Sequence, residues 1–150
     1  MKLYIDGDAF PNLLKPIVAK AIERLKIDTY VVANKKINVG KSKHISYIIV
    51  ELGADEADNH IVDLAKKDDL VITADIPLAD RLISKNTHAI DHRGELYSEE
   101  NIKQYLTMRN LMSELRDSGE VTGGPPPFDK KNAEGFANQL NAFLQKHYVK

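Results

Sequence analysis

The chain has 150 residues, with 21 Lys and Arg against 22 Asp and Glu, a formal net charge of −1, and neither Cys nor Trp. Without Cys, disulfides, thiolate nucleophiles, Cys-bound zinc and iron–sulfur clusters are excluded. The charges also balance within residues 1–91 and within 92–150, so neither part is a polybasic nucleic-acid footprint.

With 43% hydrophobic and 29% charged residues, the composition is that of a folded, soluble chain of one domain. No apolar run approaches the ~20 residues that span a bilayer. An acid arrives at position 6, which does not suit a signal peptide. A reducing cytoplasm is the expected compartment.

Residues 2–6 form a short apolar run, Leu3-Tyr4-Ile5, that ends in Asp6. Residues 12–26 carry apolar side chains at 13, 14, 17, 18, 21, 22 and 25, the stripe of an amphipathic helix. Pro11 suits its start; Pro16 requires that the helix begin late or bend. Residues 29–33 are β-branched and predict a second strand. The apolar stretch 45–52 fits a strand or part of a helix. Residues 54–67 predict a helix with Ala57, Ile61, Leu64 and Ala65 on one side, 70–73 a buried strand, 76–85 a helix and 88–90 another strand. This alternation predicts an α/β fold: a parallel sheet with helices on both faces, in three layers.

After Gly94 the pattern changes. Ser98 is placed to cap a helix to about residue 116, with Ile102, Leu106, Leu111, Met112 and Leu115 expected inward. Residues 118–128 are rich in Gly and Pro and cannot be helical. Asp129 can cap a last helix to about residue 147. Residues 1–93 are thus expected to be an α/β core and 94–150 a helical extension interrupted by the 118–128 loop.

The informative residues are the acids at strand ends. Asp6 and Asp8 close the first strand, Asp75 follows the strand 70–73, and Asp91 follows 88–90. Strand C-termini of an open parallel sheet share one edge, where ligands bind. Asp55 and Asp58 are three apart, on one face of a helix start, and can join them; Asp80 lies on the next helix. Clustered carboxylates repel one another. Hard oxygen donors without Cys favour Mg²⁺ or Mn²⁺, ions suited to activating water at a phosphodiester. Singly, each Asp suits a helix cap or turn; five or more at one edge exceed that need. Asp68 and Asp69 are expected in a solvated turn, and His60 and His92 as structural residues.

Four blocks carry a resemblance that spans almost the whole chain. They are Tyr4-Ile5-Asp6-Gly7-Asp8-Ala9-Phe10-Pro11, Gly53-Ala54-Asp55-Glu56-Ala57-Asp58-Asn59-His60-Ile61, Leu70-Val71-Ile72-Thr73-Ala74-Asp75-Ile76-Pro77-Leu78-Ala79, and a tail running from Leu115-Arg116 through Gly119-Glu120-Val121-Thr122-Gly123-Gly124-Pro125 to Phe128. They resemble the YaiI/YqxD family of uncharacterised bacterial proteins, itself similar to PIN-domain nucleases. The resemblance implies a PIN-like parallel sheet in order 3-2-1-4-5 and a metal-dependent ribonuclease. Asp6, Asp58 and Asp75 match the PIN acids, Asp8 and Asp55 are near neighbours, and Asp80 and Asp91 compete for the fourth position. Asp6, Asp8, Asp58 and Asp75 are the expected catalytic residues. The expected metal-binding set adds Asp55 and Asp80.

RNA or single-stranded nucleic acid is the expected partner, and no membrane. Thr122, Gly123 and Gly124 offer backbone N–H groups suited to a phosphate nest; Arg109 and Arg116 lie two turns apart on one helix and can grip phosphates. Lys35, Lys36, Lys41 and Lys43 form a basic loop suited to solvent or to a nucleic-acid backbone. Two other readings stand beside the nuclease. Asp6-Gly7-Asp8 also resembles the nucleophile motif of haloacid-dehalogenase-type phosphatases, which would make Asp6 the nucleophile, although no hydroxyl follows the second strand at Val31-Val32-Ala33-Asn34. The other is a non-catalytic binding or regulatory module.

Overall fold

The computed structural model describes residues 1–53, 55–120 and 127–149. Five parallel strands form one sheet: β1 (Leu3–Asp6), β2 (Thr29–Ala33), β3 (Ile45–Ile49), β4 (Leu70–Ile72) and β5 (His88–Ile90). Their order is β3-β2-β1-β4-β5, the order that the family resemblance implies. Among the described residues five α-helices accompany them: α1 (Lys15–Leu25), α2 (Glu56–Leu64), α3 (Ile76–Ser84), α4 (Glu99–Asp117) and α5 (Lys130–His147). Among the described residues, no helix is long and apolar enough to cross a membrane.

Strand alternation sorts the core into two apolar clusters. Leu3, Ile5, Val31, Ile45, Leu70, Ile72 and Ile90 face the side on which α1 and α5 pack, through Val18, Ile22, Phe136, Leu140 and Leu144. Tyr4, Val32, Val71 and Ala89 face the other side, against Ile61, Leu78, Leu82 and Ile102. Strands buried on both faces read as continuous apolar runs rather than alternating ones. This is why Leu3-Tyr4-Ile5 and Leu70-Val71-Ile72 carry no polar residue.

Local chemistry sets the element ends. A 3₁₀ turn at Asn12–Leu14 precedes α1, and Pro16 stands in the first turn of α1, where its missing N–H costs nothing. The stretch 45–52 is a strand only to Ile49. Helix α2 is shorter than the expected 54–67. The Lys85 ammonium takes the carbonyls of Val62 and Ala65, and Asp69 accepts the backbone N–H of Lys66 at 2.9 Å. Asp69 also accepts the N–H of Lys2 at 2.9 Å and is buried. The expected solvated turn is thereby corrected: Asp69 ties the starts of β1 and β4 together, a role invisible to a local reading because Lys2 lies 67 residues away.

Both C-terminal helices begin with capping boxes, Ser98 with Asn101 and Asp129 with Asn132, each satisfying otherwise orphaned N–H groups. Helix α5 crosses the turn after β5 closely: a Cβ at Gly94 would lie 2.6 Å from the Gly135 carbonyl, and Gly94 has φ +96°, a conformation that glycine alone adopts without cost. The inward stripe expected of α4 is corrected. Ile102 is buried, but Leu106, Met112 and Leu115 are only partly covered and Leu111 is exposed. At 1.5 Å per residue, the 19 residues of α4 outrun the 9 of α3, against which its first turns pack.

Candidate functional site

The strand C-termini frame a pocket of about 360 Å³ lined by Asp6, Asp8, Asp55, Glu56, Asp58 and Asp75, with Ala9, Asn34, Gly53, Ala57, Ala74 and His92. Among the described residues, no Lys or Arg lines it. The backbone builds the wall at some cost. Ala9 and Asp55 both hold left-handed conformations, φ 62° and 65°, which non-glycine residues adopt with strain. Gly7 is needed between the two acids of the first strand end: a Cβ there would meet Ile37 Cδ1 at 2.8 Å and Ala33 Cβ at 3.0 Å.

A short relay joins the ends of β1 and β4. The Asp75 N–H donates to Thr73 Oγ1 at 3.0 Å, and the Thr73 hydroxyl donates to Asp6 Oδ2 at 2.8 Å. Thr73 is fully buried, so its hydroxyl fixes the Asp6 carboxylate. Asp75 also caps α3, accepting the Leu78 N–H at 3.0 Å. It is therefore both the cap suggested by its position and a member of the cluster. Asp58, in the first turn of α2, lies within hydrogen-bonding reach of Asp75. Asp8 accepts the Asn34 N–H on both oxygens, at 3.1 and 3.3 Å, which ties the β1 end to the β2 end.

The electrostatics are those of crowded acids. Burial, with the charges of Asp58, Asp75 and Asp8, pushes the Asp6 carboxyl up to about 7, against the lowering hydrogen bond from Thr73. Burial and then the Asp75 and Asp55 charges push Asp58 up to about 6. His92 goes the other way: burial and then the Arg93 charge push it down to about 4. Its ring meets Phe10 edge-on at 5.6 Å. Among the described residues its buried Nε2 finds no hydrogen-bond partner.

Not every expected residue is here. Asp80 pairs with Lys103 of α4 at 3.0 Å and does not line the pocket. Asp91 accepts the N–H groups of Arg93 and Glu95 at 2.9 and 2.8 Å; it holds the turn after β5 and stands outside the pocket lining. Arg109 and Arg116 are exposed on α4, away from the lining. Thr122, Gly123 and Gly124 lie outside the described residues. His60 is exposed on α2. The sequence reading left Glu56 out of the expected site, although its place one residue after Asp55 at the helix start was the available signal. It also passed over Asn34, whose contribution is a backbone N–H and leaves no mark in the sequence.

The donor set is all hard oxygen apart from one imidazole. Among the described residues, however, no three acidic or histidine side chains are already gathered as a metal cage. The site is an acidic pocket, with the Arg81 charge acting against the upward shift of Asp58, at the switch-point edge of an open parallel sheet, where such folds bind ligands.

Comparison with known proteins places the chain. Residues 4–146 match the family model described as "Uncharacterized BCR, YaiI/YqxD family", and the chain belongs to that family. It is 73% identical over 147 residues to the UPF0178 protein of Sulfurovum sp., covering 98% of this chain and 99% of that one. It is 66% identical over 150 residues to the UPF0178 protein of Sulfurimonas denitrificans, covering 100% and 99%, and 48% identical to that of Photobacterium profundum over the full length of both. No solved structure matches the chain.

Proposed function

We propose that the acidic pocket binds Mg²⁺ or Mn²⁺ and hydrolyses phosphodiester bonds, with RNA or single-stranded nucleic acid as substrate. The observation that carries this reading is six carboxylates lining one pocket with no Lys or Arg among the described lining residues. Such a cluster opposes its own folding unless protons or a cation neutralise it. Asp6, Asp58 and Asp75 would hold the ion, with Asp8 and Asp55 completing the shell. A bound Mg²⁺ or Mn²⁺ supplies charge for the phosphate oxygens and lowers the pKa of a water.

The chain's own groups do the positioning. Thr73 holds the Asp6 carboxylate, the Asn34 N–H orients Asp8, and the N-terminus of α2 brings Asp55, Glu56 and Asp58 to the rim. Lys35 and Lys36 follow Asn34 and are exposed; they suit a phosphate backbone approaching the same edge. The resemblance of Asp6, Asp58 and Asp75 to the acids of PIN-domain nucleases supports the same reading. The phosphatase reading is less favoured, because its chemistry calls for a Lys beside the nucleophile and the described lining has none.

The test is hydrolysis of labelled single-stranded RNA and DNA with Mn²⁺, with a chelator as control. Cleavage that stops with the chelator and with Asp6→Asn supports the nuclease. Phosphate release from small monoesters alone moves the assignment to a phosphatase. Retarded migration of nucleic acid in a gel without cleavage moves it to a binding module.

A further inference from the structure

Charge is not spread evenly over the chain. Residues 9–50 carry eight Lys and Arg against two Asp and Glu; the remaining residues carry 13 against 20. The balance within residues 1–91 hides this, because the acids of the pocket fall in the same stretch. Residues 9–50 fold as α1, β2, β3 and the segment 34–44 that joins the two strands, so the positive charge gathers on one half of the sheet.

The segment 34–44 is pinned along its length. It leaves the pocket at Asn34, whose N–H holds Asp8. Ile37 packs close to the chain between Asp6 and Asp8, where a Cβ at Gly7 would meet its Cδ1 at 2.8 Å. Val39 is buried, and a Cβ at Gly40 would lie 3.0 Å from the Ala19 Cβ of α1. The Tyr47 hydroxyl donates to the Gly40 carbonyl at 2.9 Å and accepts the N–H groups of Val39 and Gly40 at 3.1 and 3.2 Å. Because β2 and β3 are parallel, the segment runs from the pocket edge back to the strand starts. That is about 16 Å, the length of the five residues of β3 at ~3.3 Å each.

The lysines ride on that frame. Lys35 and Lys36 are exposed beside the pocket, and Lys41 and Lys43 are exposed at the far end. There they line a groove of about 640 Å³ with Lys20 of α1. Among the described residues, none of these five ammonium groups is paired with an acid. One acid, Glu23, shares the groove lining.

We infer that this face holds the phosphate backbone of a single-stranded nucleic acid whose reacting phosphate lies in the acidic pocket. The inference rests on the proposed function and gives its substrate a path. The described pocket lining has no Lys or Arg and by itself repels a polyanion. Unpaired lysines on a fixed frame beside it supply the attraction. Lys is a point charge that grips phosphate without bidentate geometry. The groove lining includes no aromatic ring on which bases could stack, so the grip is indifferent to base sequence. A lipid surface calls for apolar side chains that insert, and the groove lining offers Ala19 alone.

The test is the anisotropy of labelled single-stranded RNAs of two different sequences, titrated with the full chain in chelator so that binding is read without hydrolysis. Both RNAs should bind alike, and affinity should fall with salt at a log–log slope of about −0.7 per phosphate contacted. Lys41→Gln with Lys43→Gln should weaken binding about tenfold and make the slope shallower by about 1.4. Their exposed side chains leave the fold intact, checked by thermal melts. Lys20→Gln, on a separate element, should act in the same sense to a smaller degree. Arg109→Gln with Arg116→Gln removes as much charge from α4 and should change little. No binding of RNA at low salt, a Lys41 and Lys43 variant that binds like the wild type, an equal loss in the arginine variant, or capture by phosphatidylserine vesicles in place of RNA would each overturn the proposal. Mn²⁺-dependent cleavage is read separately. Binding as described without cleavage keeps this face and removes the nuclease; cleavage with undiminished binding in the lysine variant does the reverse.

Discussion

Asp69 and Asp6 stand at opposite ends of the same sheet, and their surroundings are opposite too. At the strand starts, Asp69 is buried with two backbone N–H donors, from Lys2 and Lys66. At the strand ends, Asp6 accepts one hydroxyl, from Thr73, and faces Asp58, Asp75 and Asp8. A buried carboxylate that stabilises a fold is supplied with donors. One surrounded by other carboxylates costs stability, a cost that the proposed cation would offset. The contrast lies in the partners, since both residues are Asp at strand termini.

Breaking the contrast at its stable end has the largest expected effect. Asp69→Ala strands the two N–H groups and removes the link between β1 and β4; it should cost about 3 kcal/mol, read as a lower denaturant midpoint. The matching change at the other end has the opposite sign. Asp6→Asn removes a charge from the cluster, and the metal-free protein should gain about 1 kcal/mol at pH 8. If that variant is as destabilised as Asp69→Ala, the two acids play the same part and the contrast fails.

The pH dependence sharpens the same point. Asp6 keeps its proton in the folded chain up to about pH 7, and Asp58 up to about 6. Between the ordinary carboxylate value and those values the folded state holds more protons, so stability falls as pH rises. His92 opposes this at lower pH. Held neutral down to about 4 against an ordinary value of 6.5, it costs stability as pH falls below 6.5. His88, also pushed below its ordinary value by burial, acts in the same sense, and both effects fade about one unit above 6.5, so the least opposed window is from about 7 to 8. The metal-free melting temperature should fall as pH rises through that window, and the fall should flatten in Asp6→Asn. The smallest effect concerns the wall: Ala9→Gly relieves a left-handed alanine and should stabilise by about 0.5 kcal/mol, measured by the same melts.

Much of this was legible in the sequence, because parallel sheets convert chain order into position. The strand ends after Ile5 and Ile72 could be read from apolar runs, and strand C-termini share an edge, so Asp6 and Asp75 had to converge. Asp58 followed from its place at a helix start. Asp80 and Asp91 were harder. Whether Asp80 faces the pocket or Lys103 depends on how α4 crosses α3, which local periodicity does not encode. Asp91 spends an oxygen on the N–H groups of Arg93 and Glu95, a turn role that looks the same in sequence as a ligand role. The stripe on α4 misled for a different reason: periodicity marks an apolar face but not how far a neighbouring helix extends along it. Asp69 shows the limit most plainly, since its partner Lys2 contributes a backbone group.

The most direct measurement is the thermal melting of the wild type and Asp75→Asn at pH 8, each with and without Mn²⁺. Asn caps a helix about as well as Asp, so the Leu78 N–H keeps its acceptor and only the charge changes. A cation-binding pocket gives a wild type whose melting temperature rises with Mn²⁺, since the ion binds the folded state. It also gives a variant that is at least as stable without metal and responds much less to it. A wild type indifferent to Mn²⁺, together with a variant weakened by a few tenths to about 1 kcal/mol from loss of charge at the α3 N-terminus, would reduce Asp75 to a helix cap and contradict the cation site.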